Sequence, residues 1–333
     1  MNYERALTEA KKGRAIIFFG AGFSFGLTSA FGKKVPTGSG LAKLLCDEIQ
    51  CTITDDLKKA TKRYLKNKST DNLIDLLKDH FIIRNVDEKY IKIASIPWKS
   101  IYTTNYDNCF EVAGELIGKR FESFDSDTNP KGKVLKNSVI HINGFINNLN
   151  NVKLETSFKL TTPSYLTEQF RNSVWAEVFR RDIQAANAIF FVGYSMYDID
   201  IQEILFAEKE LKDKIFFIDR EDLTEDEIED LDISDFGKVL PIGIDKFAND
   251  FDRVDSLAIS HNSELIISSF EKIEIDPNNI SKIKDTDIFS LLINGELKDD
   301  LLINEVTSNE NNYVISREQE NIAFGDLKDN KNL

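Results

Sequence analysis

Six short stretches of the chain are rich in apolar, aromatic or β-branched residues, and the segments between them carry apolar residues at helical spacing. The runs are Ala15–Phe19 (AIIFF), 100–104 (SIYTT), 138–146 (SVIHINGFI), 188–192 (AIFFV), 215–219 (IFFID) and 238–242 (KVLPI), and each predicts a strand. Helices are predicted at 2–12, 40–50, 55–80, 108–117, 163–186, 199–211 and 223–231, with Ser69, Thr70 and Asp71 as an N-cap cluster for 71–79. Strands apolar on both faces, alternating with helices, indicate a parallel sheet covered on both sides. The expected fold is therefore α/β, a Rossmann-like parallel sheet with helices on both faces and a helical insertion over about 40–95. Its first domain is expected to run over 1–275. Residues 276–333 turn polar and rich in Asn, Asp and Lys, as a linker or the start of a further domain.

In such a sheet a ligand lies at the carboxyl ends of the strands. Gly20, Asn105, Asn143, Gly193 and Asp219 each stand at or just after the end of a predicted strand. That coincidence is hard to obtain from packing alone.

Composition narrows the classes. With 333 residues, 41% hydrophobic and 24 Phe, the chain can build a substantial core. A net charge of −14 argues against a broad grip on nucleic acid or anionic lipid, which needs clustered Lys and Arg, so neither partner is expected. Cys46, Cys51 and Cys109 are an odd set without a CxxC pair. They make no four-cysteine zinc site and read as reduced thiols in a cytoplasmic protein. The apolar run at Ala15–Phe19 is too short for a signal peptide, and no stretch approaches a membrane span of ~20 residues.

Gly20-Ala21-Gly22-Phe23-Ser24 follows the first strand directly. Glycines there let the backbone approach a pyrophosphate, although a tight turn with no ligand has the same appearance. Phe25 stands where GxGxxG has its third glycine, and Gly26 comes one residue later. TTNYD at 103–107, the glycine turn at the end of 139–144 and GYSMYD at 193–198 follow in order. The ordered set resembles the sirtuin-like family over about 13–245, and within it the bacterial NAD-hydrolysing immune effectors.

That resemblance implies that Gly20, Ala21, Gly22, Ser24 and Thr104 line NAD, bound as substrate, with no metal required. Asn105 and Asp107 would sit at the nicotinamide and its ribose, and Gly193 and Ser195 at the phosphates or the adenine-side ribose. Asp219 would accept from an adenosine ribose hydroxyl, or is an ordinary strand-end carboxylate. The alternative for Asn105 to Asp107 is an Asx turn capping the next helix. The family has a catalytic His immediately before the glycine matching Gly144, where this chain has Asn143; His141 stands two residues earlier. Residues i and i+2 of a strand share a face, ~6.5–7 Å apart. His141 is thus either a base one step back or a packed core histidine, with Asn143 positioning water.

The implied activity is NAD glycohydrolysis to nicotinamide and ADP-ribose, serving antiphage defence by NAD depletion. The alternative is a catalytically weakened module that binds NAD or ADP-ribose and regulates a neighbour. Protein deacylation fits less well, since the paired cysteines of the deacylases' zinc module are missing. A homo-oligomer and a phage-derived trigger are implied. The segment 313–317 (YVISR) resembles the linker that precedes the phosphate loop of STAND ATPases, implying such a domain beyond it, or else is part of a frayed polar end.

Overall fold

The computed structural model describes residues 1–131, 137–161, 163–164, 170, 173–196 and 198–254. The polar tail, the boundary expected near 275 and the segment 313–317 lie outside the described residues.

Seven strands form one parallel sheet: β1 (Ala15–Phe19), β2 (Ser100–Thr103), β3 (Glu122–Asp125), β4 (Ser138–His141), β5 (Ala188–Val192), β6 (Ile215–Asp219) and β7 (Lys238–Pro241). Their order is β3-β4-β2-β1-β5-β6-β7. The chain runs outward from β1 through β2, then returns to the opposite side of β1 to lay down β5. The border between β1 and β5 is therefore the topological switch point, where open α/β sheets bind ligands.

The helices are α1 (Tyr3–Lys11), α2 (Ala21–Ser24), α3 (Gly38–Glu48), α4 (Leu57–Asn67), α5 (Thr70–Phe81), α6 (Glu88–Ser95), α7 (Cys109–Glu115) and α8 (Asn151–Glu155). They continue as α9 (Val174–Ala185), α10 (Ile199–Ala207), α11 (Glu225–Glu229) and α12 (Gly243–Arg253). The expected insertion is the run α3 to α6. The single helix expected over 55–80 is two, divided where Lys68 leaves helical geometry and Ser69 and Asn72 form a capping box.

Period-two alternation sorts the sheet residues between two layers. Ile17, Phe19, Phe190 and Val192 pack with α1, α3 to α7 and α12. Ile16, Phe18, Ile189 and Phe191 pack with Trp175, Phe179 and Ile183 of α9 and Ile201 and Ile204 of α10. All residues of β1 and β5 are buried, which is why both read as unbroken apolar runs.

The structure differs from the expected elements in three further places. The strand expected over 138–146 ends at His141, because Gly144 turns the chain at φ +101 and a 3-10 turn follows at Ile146–Asn148. The edge strand β3 (ESFD) was not expected, since two acids and a serine in four positions give no apolar run. Helix α12, with Phe247, Ala248 and Phe251 on its buried face, was likewise unforeseen.

Candidate functional site

Register brings the motifs together. Phe19 pairs with Thr103 on one side and Val192 on the other, and Thr103 pairs with His141. Four strand ends thus stand side by side, followed by Gly20, Thr104, Ile142 and Gly193. Backbone bonds extend the ladder past the strands: Gly20 N–H to Val192 O (3.0 Å), Thr104 N–H to Phe19 O (3.2 Å) and Ile142 N–H to Thr103 O (2.8 Å).

The glycines meet one another. A Cβ on Gly20 would lie 2.5 Å from Gly193 O and from Tyr194 Cα, and one on Gly193 would lie 2.4 Å from Phe23 N. Gly193 also has φ +60, a conformation in which a side chain is strained. Gly22 N–H donates to Gly193 O at 2.8 Å. Close approach of the β1 and β5 loops is therefore sufficient to require these glycines. Ala21 and Gly22 remain exposed at the mouth of the switch point.

A chain of polar contacts runs beneath that mouth. The Asn105 side-chain amide donates to Gly20 O (2.8 Å) and Ser24 Oγ (3.1 Å), while its backbone N–H donates to Thr103 Oγ1 (2.9 Å). Asn105 is half-buried, and its Oδ1 takes no hydrogen bond from a described residue. The Ser24 hydroxyl donates to Asp107 Oδ2 at 2.6 Å, and Cys109 N–H donates to Oδ1 at 3.0 Å. Both oxygens of buried Asp107 are thus occupied, the second in an Asx turn at the start of α7. Burial, against the opposing bonds from Ser24 and Cys109, leaves the Asp107 carboxyl above its ordinary range.

His141 lies below the Asn105 backbone and is 1% exposed. Its Nδ1 is 3.0 Å from the Asn105 carbonyl, and its Nε2 is 2.8 Å from Glu111 Oε1. Burial pulls its pKa down, but Glu111, the Asn105 carbonyl and Asp125 outweigh that and the net shift is upward. The Ser123 hydroxyl donates to the same Glu111 oxygen at 2.5 Å. Glu111, Ser123 and Asp125 were missed at the sequence level. An acid inside the apolar stretch CFEVA of a predicted helix was the one signal for Glu111.

The other expected residues are more dispersed. Thr104 is half-buried, with its hydroxyl 3.5 Å from Phe19 O. Asn143 is half-buried in the turn after β4, and its carbonyl accepts Lys159 N–H at 2.9 Å. Because β4 has already ended, Asn143 and His141 are not successive steps on one strand face. Ser195 is exposed beyond β5. Asp219 ends β6 and accepts from Arg220 N–H at 2.8 Å. The hydroxyl of Tyr194, next to Gly193, is buried without a partner among the described residues. Among the described residues no cluster of three or more His, Cys, Asp and Glu could hold a metal, and no helix is long and apolar enough to cross a membrane.

Residues 99–234 match the model of a SIR2-like domain. The matched span holds every expected site residue except Gly20, Ala21, Gly22 and Ser24. No curated protein matches the chain. Among solved structures, the chain is similar to one determined for the mechanism and regulation of Sir2 enzymes, at 16% identity, covering 75% of this chain and 97% of that one, TM-score 0.41. It is also similar to Sir2Af2 bound to a myristoylated histone peptide, at 13% identity, covering 76% and 98%, TM-score 0.35. A mutant Sir2 homologue in complex with 2′-O-acetyl ADP ribose matches at 14% identity, covering 76% and 96%, TM-score 0.37.

Proposed function

We propose that the chain binds NAD at the β1/β5 switch point and hydrolyses it to nicotinamide and ADP-ribose. The observation that carries this reading is Asn105, held at the end of β2 by Gly20, Ser24 and Thr103, with Oδ1 an acceptor that takes no hydrogen bond from the described residues. An acceptor so fixed can take a hydrogen bond from the nicotinamide carboxamide or from the attacking water. The exposed turn at Ala21 and Gly22, at the mouth of the switch point, is the part of the loop that the phosphates would approach. Asp219 and Ser195 are assigned to the adenosine side, and Thr104 and Asn143 flank the reacting ribose.

In this reading Asp107 acts through Ser24, since its two oxygens are already engaged. His141 acts as a positioning group, since neither ring nitrogen has a lone pair directed at the site. Catalysis then rests on orientation and on electrostatic stabilisation of the positive charge that develops as the nicotinamide leaves.

The test is nicotinamide release from NAD, with NAD binding measured by calorimetry on the same samples. Asn105→Ala is expected to remove turnover, and equal turnover in wild type and variant would overturn the assignment. One observation favours a second reading: Asp107 and His141 already have both oxygens and both ring nitrogens engaged within the protein, and Asn143 does not take up a proton near neutral pH. On that reading the protein is a regulatory module, and calorimetry would show tight NAD binding without turnover in any oligomeric state. An NAD-depleting enzyme must be restrained in its host, so we further assign it to antiphage defence, active as a homo-oligomer and released by a phage-derived trigger. A STAND ATPase domain beyond the described residues would supply that coupling.

A further inference from the structure

Both ring nitrogens of His141 face oxygens that only accept: the Asn105 carbonyl at Nδ1 and Glu111 Oε1 at Nε2. A neutral imidazole has one N–H and one lone pair, so one of the two contacts would set a lone pair against an oxygen. A doubly protonated ring donates to both. Glu111 Oε1 is in turn an acceptor twice over, from the ring and from the Ser123 hydroxyl, as suits a carboxylate. The charged groups around the ring are Glu111 from α7, Asp125 from β3 and Asp107 from the loop after β2. Asp125 has its own partners in Asn148 and Lys153, which leaves Glu111 as the direct counter-charge. Phe145 covers the ring at 4.3 Å between centroids.

Glu111 Oε2 is buried with no partner among the described residues. A buried ion pair with an orphan oxygen contributes little to net stability, because desolvation offsets much of the attraction. What the pair does hold is the backbone of Asn105. We propose that Glu111 is a positioning residue: it keeps His141 in the doubly donating form, and His141 fixes the Asn105 carbonyl and so aims Asn105 Oδ1. This rests on the role given to Asn105 above.

The experiment is nitrogen-15 NMR of the histidine rings in the full chain, at about pH 7.5 and hence above the ordinary histidine pKa of about 6.5. His141→Gln assigns the signal among the three histidines. The wild-type His141 ring is expected to carry protons on both nitrogens. In Glu111→Gln the ring is expected to lose one, with a shift of the Asn105 side-chain amide signals and a fall in nicotinamide release of about 10²-fold at little change in KM.

A neutral wild-type ring overturns the proposal, and so does an imidazolium that persists in Glu111→Gln or an Asn105 amide that does not move. If Glu111→Gln does not fold, the wild-type ring and the milder Ser123→Ala decide. Ser123→Ala strips a competing donor from Glu111 Oε1, leaves more of the carboxylate's charge to the ring and is expected to raise the His141 ring pKa measurably; an unchanged ring pKa overturns Glu111 as its anchor. Ring charge and Asn105 signals are read without NAD. A wild type that neither binds nor cleaves NAD therefore sinks the functional reading and leaves this one to its own result.

Discussion

Asn105 is over-determined. Its backbone N–H, its carbonyl and its amide N–H groups each have a partner inside the protein, so its orientation is set before any ligand arrives. Such pre-organisation is what makes a single free acceptor worth more than the same group on a mobile loop. The His141 contact links that geometry to pH. Its pKa is raised in the folded chain, so the folded state binds the proton more tightly than the unfolded state. The resulting stabilisation is fully present below the unfolded value of about 6.5 and is lost as pH rises through the raised folded value. Urea unfolding of wild type and His141→Gln across pH 5.5 to 9 should therefore show the wild-type advantage shrinking upward from about pH 6.5. An advantage that grows with pH would mean that the ring is neutral in the fold.

The elements that place these residues were legible to different degrees. β1, β5 and β6 matched to the residue, since strands buried on both faces announce themselves as apolar runs with sharp ends. β3 did not, because an edge strand bonded on one side needs no such run. The same lack hid Ser123 and Asp125. His141 was legible as a candidate, but its surroundings were not, since Glu111 reaches it only once α7 has packed beside β4. Gly20, Gly22 and Gly193 were read as ligand glycines, and their tight mutual packing is a fact of tertiary structure that spacing does not reveal.

That packing makes a measurable contrast. Gly26 has φ +76 with open space around its Cβ position, so Gly26→Ala carries the left-handed backbone penalty alone, about 1–2 kcal/mol. Gly193→Ala adds a backbone clash at 2.4 Å and should lower the unfolding midpoint by distinctly more. Equal losses in the two variants would show that the β1 and β5 loops do not meet as described.

At the scale of the whole molecule, the sheet order sets where chemistry can occur, and the two apolar layers hold that order rigid. Phe18 is fully buried and packs against Tyr102, Phe179, Phe191 and Tyr194, with ring centroids 4.8 to 6.5 Å away. Phe18→Ala should cost about 3–5 kcal/mol in urea unfolding, and a loss below about 1 kcal/mol would place the ring outside a packed core. Because Tyr194 follows Gly193, the same cavity would loosen the switch point and weaken ligand binding along with the fold. The central claim is that this switch point cleaves NAD under the direction of Asn105. It is tested most directly by following nicotinamide formation from NAD with purified wild type and Asn105→Ala at matched folded concentration, over a range that allows assembly. Release by wild type and none by Asn105→Ala is the predicted result; equal release by both proteins, or no NAD binding by wild type at any concentration, would contradict it.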